Sequence, residues 1–109
     1  MFKNEVAEFI YKRTYSRWLD DEKRREEWPE TIERFLDFIY SERPEIPEKT
    51  VNKIRKYMKE FGVMPSMRFL WAAGPAAKFD NTCIYNCSFT KINSVEAFAE
   101  CLYILMCGT

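Results

Sequence analysis

The residues of this chain with the clearest chemical potential are its four cysteines, two of which lie in the segment at residues 81–89, Asn-Thr-Cys-Ile-Tyr-Asn-Cys-Ser-Phe. Cys87 stands between Asn86 and Ser88, two side chains that can hydrogen-bond a polar ligand. A thiol presented among such groups is suited to redox chemistry. The alternative is a small buried hydrophobe, a common state of free cysteine. The local residues alone favour that alternative, because small polar residues also end strands.

The cysteine spacing argues against a metal centre. In a strand, Cys83 and Cys87 would lie about 13 Å apart on one face. That is too far for a disulfide, which needs Cα atoms within about 7 Å, and too far for a close pair of zinc ligands. Cys101 and Cys107 lie on roughly opposite sides of an apolar helix and are expected to be small buried hydrophobes. The chain has no histidine, the commonest metal ligand and general base, so we expect no zinc site.

Composition excludes some classes of function. Lysine plus arginine and aspartate plus glutamate balance at 17 each, which gives no electrostatic basis for nucleic-acid binding. A chain of 109 residues forms one small domain at most, and a hydrophobic content of 47% is too high for a disordered tail. We expect some apolar surface to be left for a partner. Four cysteines without an export signal or a long apolar run favour free thiols in the cytoplasm.

The first half of the chain has the periodicity of helices that would position these cysteines. Apolar residues recur at helical spacing and predict three helices, at about 2–12, 29–41 and 47–60. Pro29 suits a helix start, and Gly62 is expected to end the third helix. The charged run at 20–27 is expected to be solvated on all sides.

The second half is more apolar and less regular. Residues 64–74 are expected to be a loop leading into a short extended or helical piece, and residues 74–81 a connection. The composition of residues 82–89 predicts a strand. Asn93 is expected to cap a final helix, with Glu96 three residues later. Because that helix is apolar on most sides, we expect it to be buried, with help from a partner.

Four blocks in this order resemble a known family: residues 14–18 (Thr-Tyr-Ser-Arg-Trp), 65–74 (Pro-Ser-Met-Arg-Phe-Leu-Trp-Ala-Ala-Gly), 85–89 (Tyr-Asn-Cys-Ser-Phe) and 105–109 (Leu-Met-Cys-Gly-Thr). Together they are similar to the start of an adenosylcobalamin-dependent, class II ribonucleotide reductase. The monomeric ribonucleoside-triphosphate reductase type is the most similar. The resemblance spans nearly the whole chain.

The resemblance implies a mainly α N-terminal helical region leading into the first strand and helix of a ten-stranded α/β barrel, which is incomplete in this chain. Residues 1–62 would be the helical region, and residues 63–109 the start of the barrel. The radical cysteine, the second reducing cysteine and the adenosylcobalamin site would lie outside this chain. The remaining barrel portion of the enzyme would then be its partner, and we expect no catalysis by this chain alone.

The resemblance also implies roles for particular residues. Cys87 matches the first of two cysteines that reduce the ribonucleotide and become a disulfide. Ser66 resembles a position where a small hydroxyl meets the substrate phosphates, and Asn86 would line the same pocket. Ser88 is also predicted to bind substrate, because its hydroxyl can hydrogen-bond a polar ligand beside Cys87. Cys107 is assigned no chemistry, because its sequence neighbours are apolar.

Other interpretations stay open at the level of sequence. The chain could be a separately expressed piece of a split enzyme or a truncated chain. The rival in a different class is a small helical interaction module without catalytic activity, favoured by the three amphipathic helices. The preferred nucleotide, and the choice between diphosphate and triphosphate, are not determined by these residues.

Overall fold

The computed structural model describes residues 2–109, a mainly helical chain with one small hairpin. The three predicted N-terminal helices are confirmed, with ends displaced by a few residues. In chain order the elements are α1 (Glu5–Thr14), β1 (Trp18–Leu19), β2 (Arg24–Arg25), α2 (Trp28–Glu42), α3 (Glu48–Lys59), α4 (Met67–Ala72), α5 (Pro75–Phe79), a 3-10 helix (Asn81–Ile84) and α6 (Glu96–Met106).

Side-chain caps explain where the first two helices begin. The Asn4 side chain accepts the Ala7 N–H at 2.8 Å at the start of α1. Before α2, Glu27 and Glu30 form a reciprocal capping box, in which the Glu27 N–H donates to Glu30 Oε2 at 2.7 Å. Each cap satisfies backbone donors that a helix start otherwise leaves without partners.

The end of α3 differs from the sequence prediction. Phe61, not Gly62, takes the left-handed conformation, with φ of 56°. The Gly62 N–H donates to the Tyr57 carbonyl at 2.8 Å and the Phe61 N–H to the Met58 carbonyl at 3.1 Å, which is a Schellman motif. The Phe61 ring stacks on Trp28 with centroids 5.1 Å apart. This aromatic contact offsets the strain of placing a bulky residue at positive φ.

The core lies between α2 and α3, with contributions from α1 and α4. Ile32, Leu36, Met58 and Leu70 are each almost wholly buried. At one end, the Phe2, Tyr11, Trp28 and Phe61 rings form an aromatic cluster with centroid separations of 4.8–5.9 Å. The amphipathic stripes of the helices therefore produce a packed helical layer, as their periodicity predicts.

The prediction that residues 20–27 are solvated on all sides is wrong for Glu26. This residue is 4% exposed, and its carboxylate accepts bonds from Arg34 Nε at 2.9 Å and the Thr31 hydroxyl at 2.8 Å. The β1–β2 hairpin folds the run back, so that the Glu26 N–H donates to the Arg17 carbonyl. A charged side chain can be buried here because its acceptors are all satisfied by donors.

The predicted strand at 82–89 is wrong. Residues 81–84 form a 3-10 helix, capped by the Asp80 side chain, which accepts the Thr82 N–H at 2.9 Å. Residues 85–95 follow without helix or strand. A strand needs a neighbour for its backbone donors and acceptors, and no element in residues 2–109 pairs with this segment. The β-rich composition therefore cannot by itself produce a strand.

Two smaller predictions in this half are also wrong. The connection at 74–81 contains the short helix α5, which begins with Pro75 at a position where proline suits a helix. Asn93 does not cap α6, which begins at Glu96 after Val95 without a side-chain cap.

The final helix is not buried as the sequence predicts. Ala97 is its one buried residue, whereas Phe98, Leu102, Leu105 and Met106 are all well exposed. Phe79 and Phe89, outside α6, are each 94% exposed. The side chains of α6 are mostly apolar, as the sequence shows, but no other part of residues 2–109 covers the exposed ones. No helix among residues 2–109 has the length and apolarity needed to cross a membrane.

The Glu30 carboxylate gives the helical layer a predicted acid sensitivity. Hydrogen bonds from Arg24, at 2.7 and 2.8 Å, and from the Glu27 N–H lower the pKa of Glu30 from 4.5 to about 2. Because the pKa is lower in the folded state, the stabilisation is complete above about pH 4.5 and is lost as the pH falls towards 2. We expect Glu30→Gln, which can still accept the capping bond, to reduce the drop in the urea midpoint between pH 5 and pH 2.5. Glu45→Gln, at the exposed Arg43–Glu45 pair, is the control, and an equal reduction there would contradict the prediction.

Candidate functional site

Cys87 lies on the surface, in the irregular segment that follows the 3-10 helix. Its side chain is exposed, as are those of the flanking Tyr85 and Phe89. All four cysteines are free thiols, and of these Cys83 alone is buried. The thiol of Cys87 is therefore open to a reagent or a second thiol, which is the property that redox exchange requires.

The structure brings Asn86 against α4 but does not gather all the predicted substrate residues. Asn86 lines a cleft of about 300 Å³ with Thr14, Tyr15, Met67, Arg68 and Trp71. Ser66 precedes α4 as its N-cap, and its hydroxyl oxygen accepts the Phe69 N–H at 3.1 Å. Ser66 does not line this cleft, although its neighbour Met67 does. Ser88 is exposed, like Cys87.

Two arginines that sequence reasoning did not single out flank this cleft. The guanidinium groups of Arg17 and Arg68 lie over the Trp71 ring, 5.3 and 5.5 Å from its centroid. Burial, together with the nearby Arg34, lowers the pKa of Arg17 from its usual value, but an arginine side chain stays charged at neutral pH. Arg17 lies in the block at 14–18, and Arg68 and Trp71 lie in the block at 65–74. Those two blocks therefore contained a signal for this cluster. Guanidinium groups beside an aromatic face and an amide suit an anionic ligand with a planar part.

Arg68 also joins two distant parts of the chain. Its Nε donates to the Cys83 carbonyl at 3.0 Å, and its Nη2 donates to the Gly108 carbonyl. The cleft, the 3-10 helix and the end of α6 therefore meet at one side chain.

The expectation that Cys107 has purely apolar neighbours is wrong. Its thiol hydrogen-bonds the Asp80 carboxylate, which raises the pKa of Cys107, with desolvation as a second cause. The same bond, with those from Thr82, lowers the pKa of Asp80. The bond to Cys107 also raises the pKa of the Tyr103 hydroxyl. Chain folding creates this polar cluster from residues up to 27 positions apart, and the raised pKa favours the protonated thiol of Cys107 over the reactive thiolate.

The expectation of burial for Cys101 and Cys107 also fails, since both are partly exposed. A helix side that no other element covers leaves its cysteines accessible, whatever their apolar sequence context.

A second, larger cleft holds none of the predicted site residues. Its volume is about 610 Å³, and its lining is mostly apolar and aromatic, including Phe2, Trp28 and Phe61. It borders the smaller cleft through Tyr15 and Met67. Across residues 2–109, no three His, Cys, Asp or Glu side chains converge as metal ligands would.

Comparison with known proteins identifies relatives for this chain. The profile of the family described as "Ribonucleotide reductase alpha domain" matches residues 1–75. A protein of Lactobacillus gasseri named "Adenosylcobalamin-dependent ribonucleoside-triphosphate reductase" is 32% identical over 100 residues, which cover 81% of this chain. Proteins of the same name from Levilactobacillus brevis and Lactobacillus acidophilus are each 30% identical, over 81% and 84% of this chain.

The chain spans only a small part of these relatives. The matched residues make up 13% of the Lactobacillus gasseri protein and 14% of the other two. No solved structure matches this chain.

Proposed function

This chain belongs to the ribonucleotide reductase alpha domain family, and from that premise we propose that it is the N-terminal portion of an adenosylcobalamin-dependent ribonucleoside-triphosphate reductase. In this proposal it supplies one redox-active cysteine, Cys87, and part of the substrate pocket, from Ser66, Asn86 and Ser88. It is inactive without the rest of the barrel. The names and similarity of the bacterial relatives support the assignment.

One observation carries the proposed role of Cys87. The thiol is exposed next to Asn86, and Asn86 lines a cleft flanked by two arginines and Trp71. A ribonucleoside triphosphate combines a polyanion with a planar base, and guanidinium groups and an aromatic face suit those two parts. A substrate bound there would lie beside the residue that precedes the thiol.

The chemistry assigned to Cys87 is one half of a two-electron reduction. The ribose C2′–O bond breaks, a hydrogen takes the place of the hydroxyl, and the oxygen leaves as water. Cys87 and a second thiol, supplied by the rest of the enzyme, together lose two electrons and two protons as they form a disulfide. An external dithiol then reduces that disulfide. Exposure on an irregular segment allows Cys87 to meet a thiol from another part of the protein.

Adenosylcobalamin, which gives these relatives their name, is proposed to bind outside this chain. The sequence has no histidine that could ligate its cobalt, so no residue of this chain is assigned to hold the cofactor. When bound, the cofactor would supply the radical that starts the reaction. No step assigned to this chain passes through it.

The proposed partner is the remaining barrel portion of the same enzyme. The exposed apolar side chains of α6, of the irregular segment before it and of the end of α5 are of the kind that interfaces bury. The most exposed of them are Phe79, Phe89, Val95, Phe98, Tyr103, Leu105 and Met106. Docking of the barrel would also give residues 85–89 the neighbouring strand that they lack in this chain.

Reconstitution tests this proposal. The purified chain should bind an apolar dye and reduce no ribonucleotide. Adding a polypeptide that supplies the downstream region of the relatives, with adenosylcobalamin and a dithiol, should release the dye and start formation of deoxyribonucleotide. A Leu102→Glu/Met106→Glu variant, changed on the exposed side of α6, should weaken both effects. Activity in the isolated chain, or dye release without activity at saturating partner, would contradict the proposal.

A further inference from the structure

The 3-10 helix Asn81–Ile84 is attached to the last residues of the chain by bonds that bridge 25 or more positions. The Thr109 hydroxyl donates to the Thr82 carbonyl at 2.7 Å. The Thr82 hydroxyl lies 2.7 Å from Asp80 Oδ1 and 3.3 Å from the Cys107 carbonyl oxygen. These contacts join the start of the Cys87 segment to the end of α6.

Arg68 reinforces the same junction from the side of α4. Its guanidinium bridges the Cys83 and Gly108 carbonyls, one on each side of the junction. Because the planar fork of arginine presents several donors in a fixed geometry, one side chain can hold both carbonyls at once. A lysine ammonium at the end of a flexible stem cannot reproduce that bridge.

Gly108 permits the close approach. Its φ is 96°, and a Cβ built on it would lie 3.3 Å from Cys83 Cβ. A side chain at this position would therefore strain the backbone and press on Cys83. Cys83 is buried under this contact, at 9% exposure.

We propose that Arg68 and the end of α6 form a clamp on the 3-10 helix, and that this clamp sets where the chain enters the segment carrying Cys87. Three residues separate Cys83 from Cys87, and residues 85–95, between the 3-10 helix and α6, form neither helix nor strand. The clamp is thus the last fixed point before the thiol. Arg68 and Thr109 are positioning residues, and the functional importance of the clamp rests on the proposed role of Cys87.

The burial of Cys83 provides a direct measurement of the clamp in the chain itself. We expect an alkylating reagent to modify Cys87 quickly and Cys83 slowly, with peptide mass mapping to separate the two. Arg68→Lys should accelerate modification of Cys83 about tenfold or more, the scale of one lost charge-assisted hydrogen bond. Thr109→Val removes the hydrogen bond to the Thr82 carbonyl with little change of side-chain shape, and it should also accelerate modification of Cys83. If Arg68→Lys fails to fold, Thr109→Val decides the test.

Arg17→Lys is the matched control. Arg17 lies over the same Trp71 ring and donates to the Trp71 carbonyl, but it makes no hydrogen bond to the 3-10 helix or to the end of α6. Modification of Cys83 should stay within about twofold of the unsubstituted chain in this variant. Protection of Cys83 that survives both Arg68→Lys and Thr109→Val would overturn the clamp.

The reconstituted enzyme separates positioning from substrate binding. Because Arg68 also lines the cleft, Arg68→Lys is expected to raise KM as well as to lower kcat. Thr109 does not line the cleft, so the clamp predicts a lower kcat with KM changed by less than about twofold in Thr109→Val. A raised KM in Arg68→Lys with Cys83 still protected would overturn the clamp. The alkylation measurement needs no turnover, so it can succeed even if Cys87 has no redox role, and the two proposals can fail separately.

Discussion

Cys87→Ser is expected to reduce turnover of the reconstituted enzyme with a dithiol reductant by about 1,000-fold or more, since a serine hydroxyl cannot form the disulfide that the reduction requires. Serine preserves the size and polarity of the exposed position, so folding should be unchanged. The measurement is steady-state formation of deoxyribonucleotide, with circular dichroism to check the helices.

Cys101→Ser is the matched control, because Cys101 is a partly exposed thiol that belongs to α6 and not to the segment at 85–89. Its turnover should stay within about twofold. A second readout is a single turnover without external reductant, after which Cys87 should be found in a disulfide. A free Cys87 after that turnover would refute its role, and equal tolerance of serine at both positions would favour the small interaction module.

Arg34→Met is expected to lower the free energy of unfolding by about 3–5 kcal/mol, because it leaves the Glu26 carboxylate buried without its cation. The side chains of Arg34 and Glu26 are 16% and 5% exposed, and Nε and Oε1 lie 2.9 Å apart. Arg34 also donates to the Ala73 carbonyl at 2.6 Å, and to those of Leu70 and Tyr15. The loss is large for a domain whose total stability is about 5–15 kcal/mol.

Urea unfolding measures this effect, and two comparisons make it specific. Arg55→Met removes the more exposed Arg55–Glu33 pair and should cost less than about 1 kcal/mol. The double variant Glu26→Met/Arg34→Met should regain much of the lost stability, because an apolar pair leaves no unpaired charge in the core. A single Arg34→Met variant as stable as Arg55→Met would show that the network contributes little.

The Arg34 network also connects the helical layer to the candidate site. Arg34, on α2, donates hydrogen bonds to the backbone carbonyls of Tyr15, Leu70 and Ala73. Tyr15 in turn lines the cleft together with Asn86. We therefore expect disruption of this network to affect the geometry of the cleft as well as stability. The division of the chain at residue 62 into two regions stays a prediction.

The helices of the first half and the family of the chain could both be predicted from the sequence alone. Apolar residues at helical spacing determine α1, α2 and α3, because one face of each must be buried and the helix period is local. The order of four short blocks was enough for the resemblance, which is confirmed by the family profile over residues 1–75 together with the relatives matched over 81–84% of the chain. Cys87 was identified by its place in one of those blocks, and its role stays a prediction.

Tertiary structure decided the features that depend on distant partners. Residues 82–89 have strand composition but no strand to pair with, so a side-chain cap from Asp80 produced a 3-10 helix instead. Glu26 is buried because Arg34, eight residues away, satisfies its charge, and Cys107 has polar neighbours because α6 ends beside Asp80. Spacing along a chain specifies local periodicity, whereas burial, ion pairing and strand pairing depend on which remote segments meet.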